Sequence, residues 1–382
     1  MSTAPDRNIP GVAPVDRIKR QPLMLGLFLP LQSGAWSPSL APRGTRADFD
    51  YNAECAIRAE ELGFDLVFGL AQWLGKGGYG GKMKFRGEAM DPLLVTSGLA
   101  PLTKNILLIS TVHVLYTWHP VLLAKLGATI DRMSGGRWGL NVVTGYKPSE
   151  FKMFGMPDMI EHDLRYDMAA EFSDIMLRLW SEDENLTFEG RFYKAEDAFV
   201  DPKPVYGKCT MVNAGSSGAG IEYAAKYSDL IFITSPAGAD PKKACEALPA
   251  HNKKIKETGR KYGRDVKTII NPHVICRETE KEAQAQKKAI IDHQDPVAAD
   301  NFAASIMGGG KASWSATTRD MWVVGGNVHL VGTPEQIVDW FIKLKDAGCD
   351  GVQVNFYDFL PDLEFFGKRV LPLMRQAGLR ND

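Results

Sequence analysis

Cysteine is scarce in this chain, and it is not arranged as a framework. Cys55, Cys209, Cys245, Cys276 and Cys349 are scattered over 382 residues. None forms a C-x-x-C pair or stands near a histidine at zinc-finger spacing. That argues against a disulfide scaffold or a structural metal site, and for reduced, mostly buried thiols in a cytoplasmic protein. An excess of one charge is missing too, because 45 Lys and Arg face 46 Asp and Glu, for a net charge of −1. No basic surplus asks for nucleic acid, and no block of like charge suggests an interaction tail. No apolar run reaches the ~18 residues of a membrane span. The run Leu23–Leu31 behind Lys19-Arg20 imitates a secretion signal. The polar segment ahead of it and the breaks at Gly26 and Pro30 suit a buried strand ending at a proline instead. Internal repeats and Pro/Ser/Gly-rich linkers are also absent.

What is present is alternation. Residues 1–21, with Pro5, Pro10 and Pro14 among charges, read as a flexible N-terminal arm, and 22–382 as one domain. Short β-branched or apolar runs recur at Leu23–Leu29, Phe64–Phe68, Ile106–Val112, Trp138–Val143, Cys209–Ala214, Leu230–Thr234, Thr268–Cys276 and Gly351–Phe356. Between them lie stretches of helical period such as Phe49–Leu62, Val121–Met133, Arg165–Trp180 and Pro334–Ala347. Thr333-Pro334-Glu335-Gln336 offers an N-cap with proline at the first helical position, and Gly348 a stop. Eight strands alternating with helices predict an α/β fold, a closed (β/α)8 TIM barrel, with insertions at about 187–206 and 291–330. The first insertion suits an extra hairpin. The second, with Gly308-Gly309-Gly310, Trp314 and Trp322 but no clear period, suits a binding loop at the C-terminal face.

Several segments could bear chemistry. Gly75-Lys-Gly77-Gly-Tyr-Gly80 satisfies G-x-G-x-x-G, but no apolar helical stripe follows it, so a plain glycine loop is preferred to a dinucleotide site. Gly215-Ser216-Ser217, between a strand and a helix, suits either a phosphate or a capped turn without ligand. Arg165-Tyr166 opens a long helix after Glu161-His162-Asp163. The arginine could fork onto a phosphate or pair with Glu161 or Asp163. Thr111 with His113, and Asn141 with Thr144, end the third and fourth strands with polar groups, which in a parallel barrel point into the mouth or satisfy loop backbone. His119 and His162 lack spaced metal-ligand partners. Trp36, Trp73, Tyr116, Trp118 and Trp314 are candidates to line a pocket, whereas Trp138 reads as core.

The stretch Asn141-Val-Val-Thr-Gly-Tyr-Lys-Pro-Ser-Glu150-Phe, preceded by Ala128-Thr-Ile-Asp-Arg-Met-Ser-Gly-Gly-Arg137, resembles the bacterial luciferase-like flavin monooxygenases. Within them the chain is similar to the dimethylsulfone and pyrimidine monooxygenase branch over about residues 22 to 377. Glu161-His-Asp-Leu-Arg-Tyr166, Asp295-Pro-Val and Phe366-Gly-Lys-Arg-Val-Leu-Pro-Leu373 resemble the dimethylsulfone group in particular. The resemblance implies a TIM barrel with luciferase-like insertions and reduced FMN from a separate NAD(P)H-dependent flavin reductase; separately, an uncovered pair of barrel helices suits a homodimer or homotetramer. The resemblance also implies flavin contacts at Ala71, Gln72, Thr111, Asn141, Glu150, Arg165, Tyr166 and Ser217, to which the reading of the turn as an anion site adds Gly215 and Ser216. Thr111 and Asn141 would place oxygen, and Trp36, Trp73, Tyr116 and Trp314 would face the substrate.

The chain departs from its relatives in places. The loop after Gln72 is longer than in the pyrimidine branch, and the basic residues typical of alkanesulfonate monooxygenases are absent from Ile231–Ser235. The expected reaction is oxidation of a small, uncharged organosulfur compound such as a sulfone, with C–S cleavage. Ring opening of a pyrimidine or another nitrogen heterocycle is the alternative, and a deazaflavin-dependent oxidoreductase or a non-catalytic flavin binder is a further one.

Overall fold

A computed structural model describes the chain except for residues 216, 308–318, 326–327 and 382. Eight parallel strands close into a ring: β1 (Met24–Phe28), β2 (Leu66–Gly69), β3 (Leu107–His113), β4 (Trp138–Val143), β5 (Thr210–Asn213), β6 (Leu230–Ile233), β7 (Lys267–Ile270) and β8 (Gly351–Val354). Each strand pairs with its neighbours in sequence, and Met24–Leu27 against Gly351–Val354 closes the barrel. The TIM barrel expected from the alternation is therefore the fold. Strands in such a ring are covered on both faces, which explains their continuous apolar runs.

Local chemistry sets the element ends. Asp48 caps helix Phe49–Leu62, and Gly63 ends it at φ +93°. Thr333 and Gln336 form a reciprocal capping box at helix Pro334–Asp346. Leu25, Leu27, Val67, Ile109, Ile231, Ile269 and Val352 are buried in one large apolar cluster. Trp138, in a second cluster, is fully buried and donates its indole N–H to Ser110 Oγ at 2.9 Å. All five cysteines are free thiols, and only Cys245 is not fully buried.

The run Thr268–Cys276 was expected as one strand, but the chain leaves the ring after Ile270. Pro272–Cys276 pairs outside the barrel with Val328–Gly332, an unforeseen strand. Pro272 has no N–H to continue a ladder, and strands tolerate proline at their first residue. Leu186–Glu189 and Lys194–Ala198 make an antiparallel ribbon where a hairpin was expected. The span 291–330, expected to lack regular structure, contains helices Pro296–Met307 and Arg319–Val324 in its described part. At the opposite end of the barrel, the N-terminal segment is tied to the body. Arg7 N–H donates to Asn105 Oδ1 at 2.5 Å, Ser2 N–H to the Leu102 carbonyl at 2.8 Å, and Val15 and Ile18 are buried. Among the described residues, no helix is long and apolar enough to cross a membrane.

Candidate active site at the C-terminal mouth of the barrel

Parallel pairing places Thr111 of β3 directly beside Asn141 of β4, two residues before each strand ends. Both are buried, and Asn141 Nδ2 donates to Thr111 Oγ1 at 3.0 Å. Asn141 Oδ1 has no partner. A buried acceptor left so costs about 1–3 kcal/mol, which a donor on a bound molecule would recover.

The chain after β4 builds a charged cluster. Gly145 takes φ +81°, and a Cβ there would lie 2.8 Å from both the Tyr116 and Phe151 rings, so glycine is required. Pro148 holds Lys147 extended and opens helix Pro148–Met153, which carries Glu150 inward. The Glu150 carboxylate accepts from Tyr116 Oη at 2.5 Å and from Lys147 Nζ at 3.2 Å, with His113 Nδ1 at 3.9 Å. Burial pushes His113 down to about 4, against the pull of Glu150, so the ring is neutral at pH 7. Burial and then Glu150 push the Tyr116 phenol well up. Burial alone would lower the Lys147 ammonium, but Tyr146, Tyr79 and Glu150 hold it above its ordinary value.

A third group gathers between β4 and β5. Glu161 is spent capping helix His162–Ser181 through the N–H groups of Asp163 and Leu164, and Asp163 bonds His162 at 2.6 Å. Arg165 is thus free of both expected carboxylate partners. It is buried, donates to the Gly145 carbonyl, and leaves Nε without a partner. Ser217 caps helix Gly218–Tyr227 by accepting from Gly220 N–H at 3.1 Å. Tyr166 reaches the same turn, since a Cβ on Gly220 would lie 2.7 Å from its hydroxyl and 3.0 Å from Ser217 Oγ. Burial raises the Tyr166 phenol, offset by hydrogen bonds with Ser217 and Thr144 and by Arg165. Gly215 is fixed there by its N–H to Asn213 Oδ1 at 2.6 Å. A cation, two hydroxyls and a helix start make a site for an anion.

On the remaining side, Ala71 and Gln72 follow β2 and are buried. Trp73 meets Phe154 edge-on at 5.0 Å, and Phe154 stacks on Tyr116 at 4.9 Å. Trp36, tilted on Phe28 at 4.2 Å, faces the Arg86 guanidinium that donates to Gln72. Ser216 and Trp314 lie outside the described residues.

The family model of the luciferase-like monooxygenase matches residues 24–351. The chain belongs to this family. It is 32% identical over 366 residues to the FMNH2-dependent dimethylsulfone monooxygenase of Pseudomonas putida, covering 93% of this chain and 96% of the relative. To the pyrimidine monooxygenase RutA of Acinetobacter baylyi it is 30% identical, covering 92% and 95%. The structure of DmoA from Hyphomicrobium sulfonivorans superposes with a TM-score of 0.80 at 21% identity, covering 94% of this chain and 89% of that one. The long-chain alkane monooxygenase LadA superposes equally well at 23%, covering 94% and 92%. At such identities the superpositions speak for the fold.

In this luciferase-like monooxygenase the sequence reading passed over Lys147, Tyr79 and Arg86. Lys147 stood inside the quoted 141–151 stretch, next to a proline that could have flagged it. Arg86 ends the run Lys82-Met-Lys-Phe-Arg, which reads as a solvated charged loop. In the fold Lys82 and Lys84 are exposed while Phe85 and Arg86 turn inward.

Proposed function

We propose that the protein is the oxygenase half of a two-component system. It binds FMNH2 supplied by a separate NAD(P)H-dependent flavin reductase and uses O2 to oxidise a small organosulfur compound, a sulfone first, with C–S cleavage. The observation that carries the reading is the buried Thr111–Asn141 pair with its unpartnered Asn141 Oδ1. A reduced flavin ring presents N–H donors of the kind this oxygen lacks. The anion site fits the other end of the same molecule, with Arg165, Tyr166 and Ser217 on the phosphate and Gly215 beside it. The likeness to dimethylsulfone monooxygenase supports the substrate class. The likeness to pyrimidine monooxygenase favours a second reading, ring opening of a nitrogen heterocycle at the same pair.

When bound, the reduced flavin supplies the electrons that activate O2. Thr111 and Asn141 orient the reacting edge, and Ala71 and Gln72 support the ring from β2. Glu150 holds Tyr116 and Lys147 in place, while Trp36, Trp73 and Tyr116 bound the substrate. Water exclusion falls to helices Pro296–Met307 and Arg319–Val324, where Phe302 packs on Tyr79 at 5.0 Å and Ser37 Oγ donates to the Val323 carbonyl at 2.5 Å. A homodimer or homotetramer is supported by the exposed stripe Leu122, Leu126 and Met133 on helix Pro120–Ser134.

The test is anaerobic titration with FMNH2, then mixing with oxygenated buffer in the presence of sulfones or pyrimidines. Tight binding of FMNH2 with substrate-dependent oxygen uptake is expected. No affinity for FMNH2 sinks the reading, and uptake with pyrimidines alone selects the second.

A further inference from the structure

A guanidinium removed from water must be met by enough acceptors or by an anion, because an unsatisfied buried charge costs several kcal/mol. Arg137 is met by three carbonyls and the Thr103 hydroxyl. Arg86 is 5% exposed, and no carboxylate among the described residues pairs with it. Its Nε donates to the Ala35 carbonyl at 3.2 Å and one terminal nitrogen to Gln72 Oε1 at 3.0 Å. The Trp36 and Phe302 rings pack against the guanidinium at 5.1 and 4.6 Å. Gln72 Nε2 in turn donates to Tyr79 Oη at 3.3 Å, and Lys147 Nζ stands 5.7 Å from the Tyr79 ring. Burial would raise the Tyr79 phenol, but Lys147 and then Arg86 hold it below its ordinary value. Around the mouth, then, Arg86, Lys147 and Arg165 are buried, and the Glu150 carboxylate pairs with Lys147 alone of the three. Glu150 answers Lys147, and a flavin phosphate would answer Arg165. Arg86 has no counterpart.

We infer that Arg86, backed by Tyr79 and Lys147, receives an oxyanion carried by the substrate: a sulfonate, sulfinate or carboxylate group beside the carbon that is oxidised. The inference rests on the monooxygenase reading but departs from its first substrate, because a sulfone carries no oxyanion: it replaces the uncharged compound with an anionic one. Position separates this locus from the flavin phosphate. Arg86 is reached from the β1 and β2 loops and covered by helix Pro296–Met307, whereas Arg165, Tyr166 and Ser217 stand beyond β4 and β5. A reduced, negatively charged flavin ring is the other anion that could meet Arg86, and the experiment separates the two.

The FMNH2-loaded enzyme is titrated anaerobically by calorimetry with C1–C4 alkanesulfonates and carboxylates. Each is set beside its uncharged counterpart, the methyl sulfone or the methyl ketone. At least one anion is expected to bind about tenfold or more tightly than its counterpart, as a charge-assisted contact provides. Arg86→Gln should abolish that preference with FMNH2 affinity unchanged, and Arg86→Lys should keep part of it. Arg86 takes φ +56°, and Gln and Lys carry the same Cβ into that conformation, so neither substitution adds a backbone penalty that arginine lacks. Equal binding of every pair overturns the inference on the wild type alone, even if Arg86→Gln does not fold. A preference that survives Arg86→Gln, or a variant that loses FMNH2 affinity tenfold, overturns it as well, the latter assigning Arg86 to the flavin. Failure of the wild type to bind FMNH2 removes the monooxygenase reading and this inference together.

Discussion

Removing the Glu150 charge gives a direct measure of how the mouth of the barrel is held together. The carboxylate is 1% exposed and touches Tyr116 Oη, Lys147 Nζ and, at longer range, His113. Glu150→Gln keeps the shape and an acceptor for Tyr116 but leaves Lys147 buried without its counter-charge. Breaking one partner of a buried pair costs about 3–5 kcal/mol, whereas replacing both by uncharged groups of similar volume is often neutral or better. Glu150→Gln should therefore lower stability by about 3 kcal/mol or more. Lys147→Met with Glu150→Gln should recover most of that loss, with a coupling of about 2 kcal/mol or more. Urea denaturation of the wild type, both single variants and the double variant closes the cycle through shifts of the midpoint. A Glu150→Gln loss under about 1 kcal/mol, or a double variant no more stable than Glu150→Gln, refutes the claim that Glu150 is there to neutralise Lys147.

The other residues of the site give sharper functional readouts. Arg165→Ala should weaken FMNH2 binding about tenfold to a hundredfold, the value of a charged hydrogen bond, and an unchanged affinity takes Arg165 out of the phosphate site. Asn141→Ala should cut substrate-dependent oxygen uptake about a hundredfold, as loss of an oriented polar group does, and wild-type turnover would sink the role given to the Thr111–Asn141 pair. Stability should fall as pH drops from about 6.5 towards 4. Burial holds His113 and His273 down at about 4, so between those values the unfolded chain binds protons that the folded chain does not. Each contributes on the order of 1 kcal/mol per pH unit, partly offset by Asp131, which burial pushes up to about 6 and which gives the opposite slope over its own range. A flat unfolding midpoint between pH 6.5 and 4.5 would contradict this.

The ring of strands was legible because a doubly covered parallel strand needs an uninterrupted apolar run, and each of the eight runs supplies a barrel strand. The misreadings share a cause, since each depends on partners remote in sequence. Thr268–Cys276 looks continuous until Asn271-Pro272 redirects it, after which His273 pairs with Asn355 beyond β8 and with the strand Val328–Gly332. Nothing local in 1–21 announces that its backbone will bond Asn105 and Leu102. The site divides in the same way. Thr111, Asn141 and Ser217 were visible as polar residues at strand ends or a helix start. Arg165 could not be separated from a local salt bridge until Glu161 and Asp163 were seen engaged elsewhere. Arg86 was hidden in a charged run because the burial of Phe85 and Arg86 at its end follows from what lies over them, here Phe302 and, for Arg86, Trp36.

Those buried cations carry a consequence for the protein without its ligands. Among the described residues Arg86 and Arg165 meet carbonyl and amide oxygens, and Arg86 aromatic rings, but neither has a carboxylate paired with it, so anions should stabilise the protein in proportion to their occupancy. Inorganic phosphate is the simplest probe of the Arg165 end, where Tyr166 and Ser217 add hydroxyls and helix Gly218–Tyr227 begins. At ten times its dissociation constant it should raise the unfolding free energy by about 1.4 kcal/mol, read as a shift in the thermal midpoint at constant ionic strength. Arg165→Ala should abolish the shift and Arg86→Gln should leave it, because the two guanidiniums serve different anions. A shift that persists in Arg165→Ala and disappears in Arg86→Gln would reverse that division of labour, and an absent shift in the wild type would mean that the carbonyl contacts already satisfy Arg165.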